Sequence, residues 1–159
     1  MKFRASFIGI PLLSLAFSAW AEPPACALKA EELSKTFGVQ FTEGKIGLEI
    51  PAGGMVMRDC RYGSKNYTVM LKTSVFKNPA DAQGATKMLA GKLQQVTGDP
   101  DGAVIQEGQG DATSPAIHYT RNGVAVELRI LGIYYKDAKP KETELREMRT
   151  KLLGLRRVP

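Results

Sequence analysis

Hydrophobic and polar residues alternate most regularly between Met55 and Phe76, where two β-rich runs flank the polar turn Gly63-Ser64-Lys65-Asn66. From Tyr67 onward, Tyr67, Val69, Leu71 and Val75 share one face while Thr68, Lys72 and Ser74 share the other. That is the period-two pattern of a half-buried strand. A second hairpin is written by Ile117 to Thr120 and Val124 to Ile133 around Arg121-Asn122-Gly123, because Asn-Gly between alternating runs favours a type I′ turn. Val124, Val126, Leu128 and Ile130 should face inward, and Glu127 and Arg129 outward. Two further strands are predicted. Lys45 to Ile50 alternates Ile46, Leu48 and Ile50 before Pro51, which suits an edge, and Ala103 to Gln106 is a short run before the turn-rich stretch 108–115.

Three segments carry helical signals instead. In Lys29 to Phe37, Ala30, Leu33 and Phe37 fall on one face and Gly38 supplies a left-handed stop, although Leu28 and Lys29 stand where a capping Ser, Thr or Asp would help. Asn78-Pro79-Ala80-Asp81 opens a helix expected to run to Gly98, with Ala85, Leu89, Leu93 and Val96 as its buried stripe. Gly84 and Gly91 inside it would each cost about 1 kcal/mol relative to Ala, so close packing against a sheet is their expected reason. Lys139 to Leu153 buries Leu145, Met148 and Leu152, pairs Glu142 with Arg146 and Glu147 with Lys151, and stops at Gly154. The order α-βββ-α-βββ-α predicts an α+β fold: an antiparallel sheet of five to six strands with three helices on one face.

The N-terminus changes the compartment. Lys2 and Arg4 precede an apolar run from Phe7 to Phe17, and Ala19-Trp20-Ala21 offers small residues at both positions a signal peptidase reads. The apolar run is too short for a membrane span of about twenty residues. Residues 1–21 are therefore expected to be a signal peptide, and 22–159 a single periplasmic or secreted domain with no stable membrane span. The formal charge of +6 falls to +4 without Lys2 and Arg4, short of the balance that nucleic-acid binding needs. In an exported chain, the two cysteines imply one disulfide, Cys26 to Cys60. Arg58 and Arg61 flank Cys60 but alternate with it along a strand, which argues against a reactive thiol.

Cys26-Ala27-Leu28, Glu32-Leu33, Phe37-Gly38, Cys60-Arg61-Tyr62 and Gly108-Gln109-Gly110-Asp111-Ala112 form a series of landmarks. Together they resemble small secreted or lipid-anchored bacterial domains of unknown function. In such families two cysteines bracket the first helix, and a Gly-Asp-Ala turn precedes the second hairpin. Lys29 stands where those domains carry a capping Thr, and no lipidation motif precedes Cys26. The resemblance implies the fold and the disulfide, and no catalytic residues.

Candidate chemistry is sparse. His118 is the only histidine. It lacks a sequence-evident nucleophile and orienting acid, and by alternation it should point to solvent, opposite Ile117 and Tyr119. Asp111 and Ser114 are its neighbours in sequence, and Glu107 and Asp111 near one loop are the carboxylate pair that a hydrolase would use. One histidine and two disulfide cysteines leave no zinc set, and no cofactor is expected. Lys139, Arg146, Arg149, Arg156 and Arg157 crowd the C-terminal quarter. They read either as a patch for an acidic envelope protein or as a solvated helix face balanced by Glu142, Glu144 and Glu147. The sequence thus points to a non-catalytic binding or interaction protein of the envelope, of inhibitor, immunity or accessory type. The alternatives are a small envelope hydrolase, or a binder of a small apolar ligand lined by Met55, Met57, Met70 and Met88.

Overall fold

The computed structural model describes residues 24–107, 114–132 and 142–158. The expected signal peptide, the Gly-Asp-Ala turn and the start of the last helix lie outside the described residues. Within them, helix α1 (Ala30–Phe37) leads to strands β1 (Lys45–Ala52), β2 (Met55–Gly63) and β3 (Thr68–Phe76). Helix α2 (Pro79–Ala85) and a 3-10 turn (Thr86–Met88) follow, then β4 (Lys92–Gln95), β5 (Val104–Glu107), β6 (Ala116–Arg121), β7 (Val124–Leu131) and α3 (Glu142–Leu153). The strands form one antiparallel sheet in the order β1-β2-β3-β7-β6-β5-β4.

The sheet has seven strands rather than five or six, because the second helix is far shorter than its hydrophobic spacing predicts. Its start is as expected: Asn78 Oδ1 accepts from the Ala80 N–H at 3.2 Å, and Pro79 occupies the first turn. The helix then tightens into the 3-10 turn, which ends as Leu89 turns extended (ψ 131°), and Gly91 beyond it takes φ +98°. Lys92 to Gln95 pairs with β5 instead. Leu93 is accordingly exposed, and a Cβ on Gly84 would meet no atom within 4 Å. Close packing does not explain that glycine.

Register separates the two faces of the sheet. Leu71, Leu128 and Ile117 form one cross-strand row, and Thr73, Val126 and Tyr119 the next. This face carries the core, against which Leu33 and Phe37 of α1, Leu152 of α3 and the C-terminal Leu155 and Val158 are packed. Burying each large aliphatic or aromatic side chain contributes about 1.5–3 kcal/mol. The opposite face carries Lys72, Glu127 and His118 in one row and Ser74, Ala125 and Thr120 in the next. Thr120 Oγ1 donates to the Ala82 carbonyl at 3.2 Å, so α2 lies over this second face. The helices therefore cover both faces rather than one.

Cys26 and Cys60 are joined, with their Cα atoms 5.2 Å apart. The bridge ties the segment before α1 to β2 at the centre of the core face. Gly44 passes directly over it, since a Cβ there would lie 2.6 Å from both Cys60 Sγ and Tyr62 Cε1. Among the described residues, no helix is long and apolar enough to cross a membrane.

Candidate functional site

Two regions combine chemistry with unusual exposure or burial. The first is β1, the strand at one edge of the sheet. All eight of its residues are exposed, including Ile46 (60%), Leu48 (44%) and Ile50 (37%). Simple alternation would set these three on one face, but the register shifts between Ile46 and Leu48. Ile46 stands opposite Cys60, on the core face, whereas Leu48 and Ile50 stand opposite Asp59 and Met57, on the second face. The bulge residue Gly47 could not carry a side chain, because its Cβ would lie 2.2 Å from Asp59 Oδ1. Leu48 and Ile50 thus continue an apolar strip through Met57 and Met55.

The second region is the polar row on the other face. His118 is buried, not solvent-facing, because alternation gives its side of the sheet but not what covers that side. The 3-10 turn packs over β6, and a cleft of about 160 Å³ remains beneath it. Lys72, Ser74, Glu127 and His118 line the cleft from the sheet, with Ala85 and Leu89 above. His118 Nε2 lies 2.9 Å from Gln106 Oε1, which also accepts from Arg129 at 2.8 Å. Arg129 Nε donates to Glu127 at 2.5 Å. Burial pushes the His118 pKa below its ordinary value, Glu127 opposes that shift, and Arg129 and Lys72 reinforce it. That direction favours the neutral imidazole at pH 7.

Among the described residues, the basic side chains of the C-terminal quarter differ in exposure and pairing. Arg149 is buried on α3 and pairs with Glu142 at 2.8 Å. Arg156 pairs with Glu32 at 3.1 Å. Arg157 bonds Asp99, lies 3.8 Å from Asp101, and stacks 4.6 Å above the Tyr119 ring. Arg146 is exposed, while Lys139 and Asp111 lie outside the described residues. The tail therefore closes the core edge, with the Val158 N–H donating to Tyr119 Oη at 3.0 Å. Glu107 pairs with Lys92 at 2.8 Å, and that hydrogen bond holds its carboxyl below the usual range. A lowered pKa is the reverse of what a general acid needs. Met88 is 88% exposed, and none of Met55, Met57, Met70 and Met88 lines the cleft.

Lys72, Glu127 and Gln106 were not singled out by sequence. Each lies on a strand whose outward residues look like ordinary solvated positions, and only the strand register aligns them. No family model, curated protein or solved structure matches the chain.

Proposed function

We propose that the protein is exported and works outside the cytoplasm as a non-catalytic interaction protein, accepting an extended apolar segment of an envelope protein as an additional strand on β1. The observation that carries this reading is an eight-residue edge strand with three exposed large aliphatic side chains. Edge strands are ordinarily blunted by charge, shortness, cover, bulges or proline. Strand β1 carries one bulge at Gly47 and one proline yet keeps its aliphatic side chains exposed. Backbone pairing with alternating side-chain contacts is a common way to bind a peptide. The β1 edge has charges at Lys45 and Glu49, but Glu49 is held on its own sheet by Arg58 at 2.8 Å. Pro51 offers no N–H, which confines an incoming strand to residues 45–50. The disulfide is compatible with an extracytoplasmic compartment, and the leader-like pattern of residues 1–21 supports export.

A photo-crosslinking residue at Leu48, in tagged protein expressed in its native envelope, tests the proposal. The expected result is one envelope protein captured from Leu48 but not from exposed Thr143 on α3, with capture abolished by Ile50→Lys. Capture of nothing, or only of a second copy of this chain, overturns the reading.

A further inference from the structure

The cleft under the 3-10 turn has an unbalanced charge. Lys72 stands directly opposite Asp59 on β2 and Glu127 on β7, yet both carboxylates are engaged elsewhere. Asp59 bonds Arg61 at 3.2 Å through Oδ2 alone, its buried Oδ1 having no hydrogen-bond partner, and Glu127 bonds Arg129 at 2.5 Å. Lys72 makes no ion pair among the described residues, and it lines the cleft. A cation that forms an ion pair with neither neighbouring carboxylate is a point charge for an anionic ligand.

Hydrogen bonding also fixes the state of His118. Gln106 Nε2 donates to the Ala90 carbonyl at 2.7 Å, which turns Oε1 toward His118 and Arg129. An acceptor opposite Nε2 requires that nitrogen to carry a hydrogen, and in the neutral ring this places the lone pair on Nδ1. Nδ1 of the neutral ring can then accept a hydrogen bond. The cleft therefore offers a cation, the Ser74 hydroxyl and an imidazole acceptor, with the Glu127 carboxylate beside them paired to Arg129, between the small apolar walls of Ala85 and Ala125 and the side chain of Leu89. A cavity of about 150 Å³ holds a guest of about six non-hydrogen atoms, which suits the volume of about 160 Å³ here.

We propose that this cleft binds a short hydroxycarboxylate, its carboxylate on Lys72 and Ser74 and its hydroxyl donating to His118 Nδ1. The volume accommodates a ligand of lactate or glycerate dimensions. A neutral polyol lacks the charge, and acetate lacks the hydroxyl. The site lies across the sheet from the core and does not depend on the β1 edge.

Titration of the full protein with lactate and glycerate, followed by the ¹⁵N resonances of the His118 ring, tests the assignment. A saturable shift of the Nδ1 signal is expected, with acetate weaker and glycerol silent. Lys72→Met should weaken binding about tenfold, the effect of losing one charge-assisted hydrogen bond. Ser74→Ala should weaken it less, and serves if the Lys72 variant does not fold. The absence of a saturable shift overturns the proposal, as does glycerol binding as well as glycerate, or equal affinity in both variants.

Discussion

The Tyr62 hydroxyl bonds both backbone groups of Leu28, donating to its carbonyl at 2.9 Å and accepting from its N–H at 3.1 Å. Leu28 is two residues beyond Cys26, and Tyr62 two residues beyond Cys60, so a covalent and a hydrogen-bonded staple act side by side. Tyr62 is fully buried, and burial pushes its hydroxyl up to about 12. It remains a protonated donor throughout the physiological range. Tyr62→Phe would keep the ring but orphan a buried N–H and a buried C=O, each costing about 1–3 kcal/mol. A loss of about 2 kcal/mol or more is expected in urea unfolding. A loss below about 0.5 kcal/mol would mean that water replaces the hydroxyl.

The disulfide should matter comparably, for a different reason. It closes a loop of sequence separation 34 that contains α1 and β1. Loop-closure entropy then predicts about 3–4.7 kcal/mol of stabilisation through the unfolded chain. The double variant Cys26→Ala, Cys60→Ala should be destabilised by about that amount while keeping the sheet's circular dichroism. Two free thiols found in the purified native protein would contradict the pairing itself.

Both staples bear on what sequence can disclose. The hairpins were legible because a period of two and an Asn-Gly turn are local signals, and the structure places Val124, Val126, Leu128 and Ile130 inside as those signals require. The disulfide was legible because two cysteines allow one pairing. β4 was not, since Ala85, Leu89, Leu93 and Val96 fit a helical period. The extended conformation from Leu89 and the pairing with β5 decide otherwise. His118 and Lys72 were unreadable as a site for a further reason. Alternation gives each residue's side of its own strand, but their alignment passes through β7, which lies more than fifty residues from Lys72 in sequence. The Arg157 contacts with Asp99 and Tyr119 are equally non-local.

Gly123 closes the second hairpin with φ +73°, following Asn122 at φ +49°. It also touches the start of α2, because a Cβ there would lie 2.6 Å from Pro79 Cβ and 3.1 Å from its Cα. Gly123→Ala therefore combines backbone strain with a steric clash and should cost about 2–3 kcal/mol. Gly98→Ala separates the two effects. Its φ is +76° with nothing within 4 Å of the added methyl, so strain alone should cost about 1 kcal/mol. Equal losses in the two variants would show that the hairpin tip is not pressed against α2.

His118 should leave a readable mark on stability as pH changes. Its folded pKa is lowered, chiefly by burial, from an ordinary value of 6.5. Below about pH 6.5 the unfolded chain therefore binds a proton that the folded protein resists. Linkage then makes stability fall as pH drops from about 6.5 toward the folded pKa, and level off beneath it. Glu127 facing the ring opposes the penalty, while Arg129 and Lys72 deepen it. Because His118 is the only histidine, this window is free of other imidazoles. Glu49, Asp99 and Glu107 have carboxyls held below their ordinary values and titrate at more acidic pH. Thermal unfolding followed from pH 7.5 to 5 should show the midpoint falling in the native protein. His118→Gln, which can still reach Gln106, should flatten that slope. A native slope unchanged by the substitution would place the titrating group elsewhere and remove the buried imidazole as its cause.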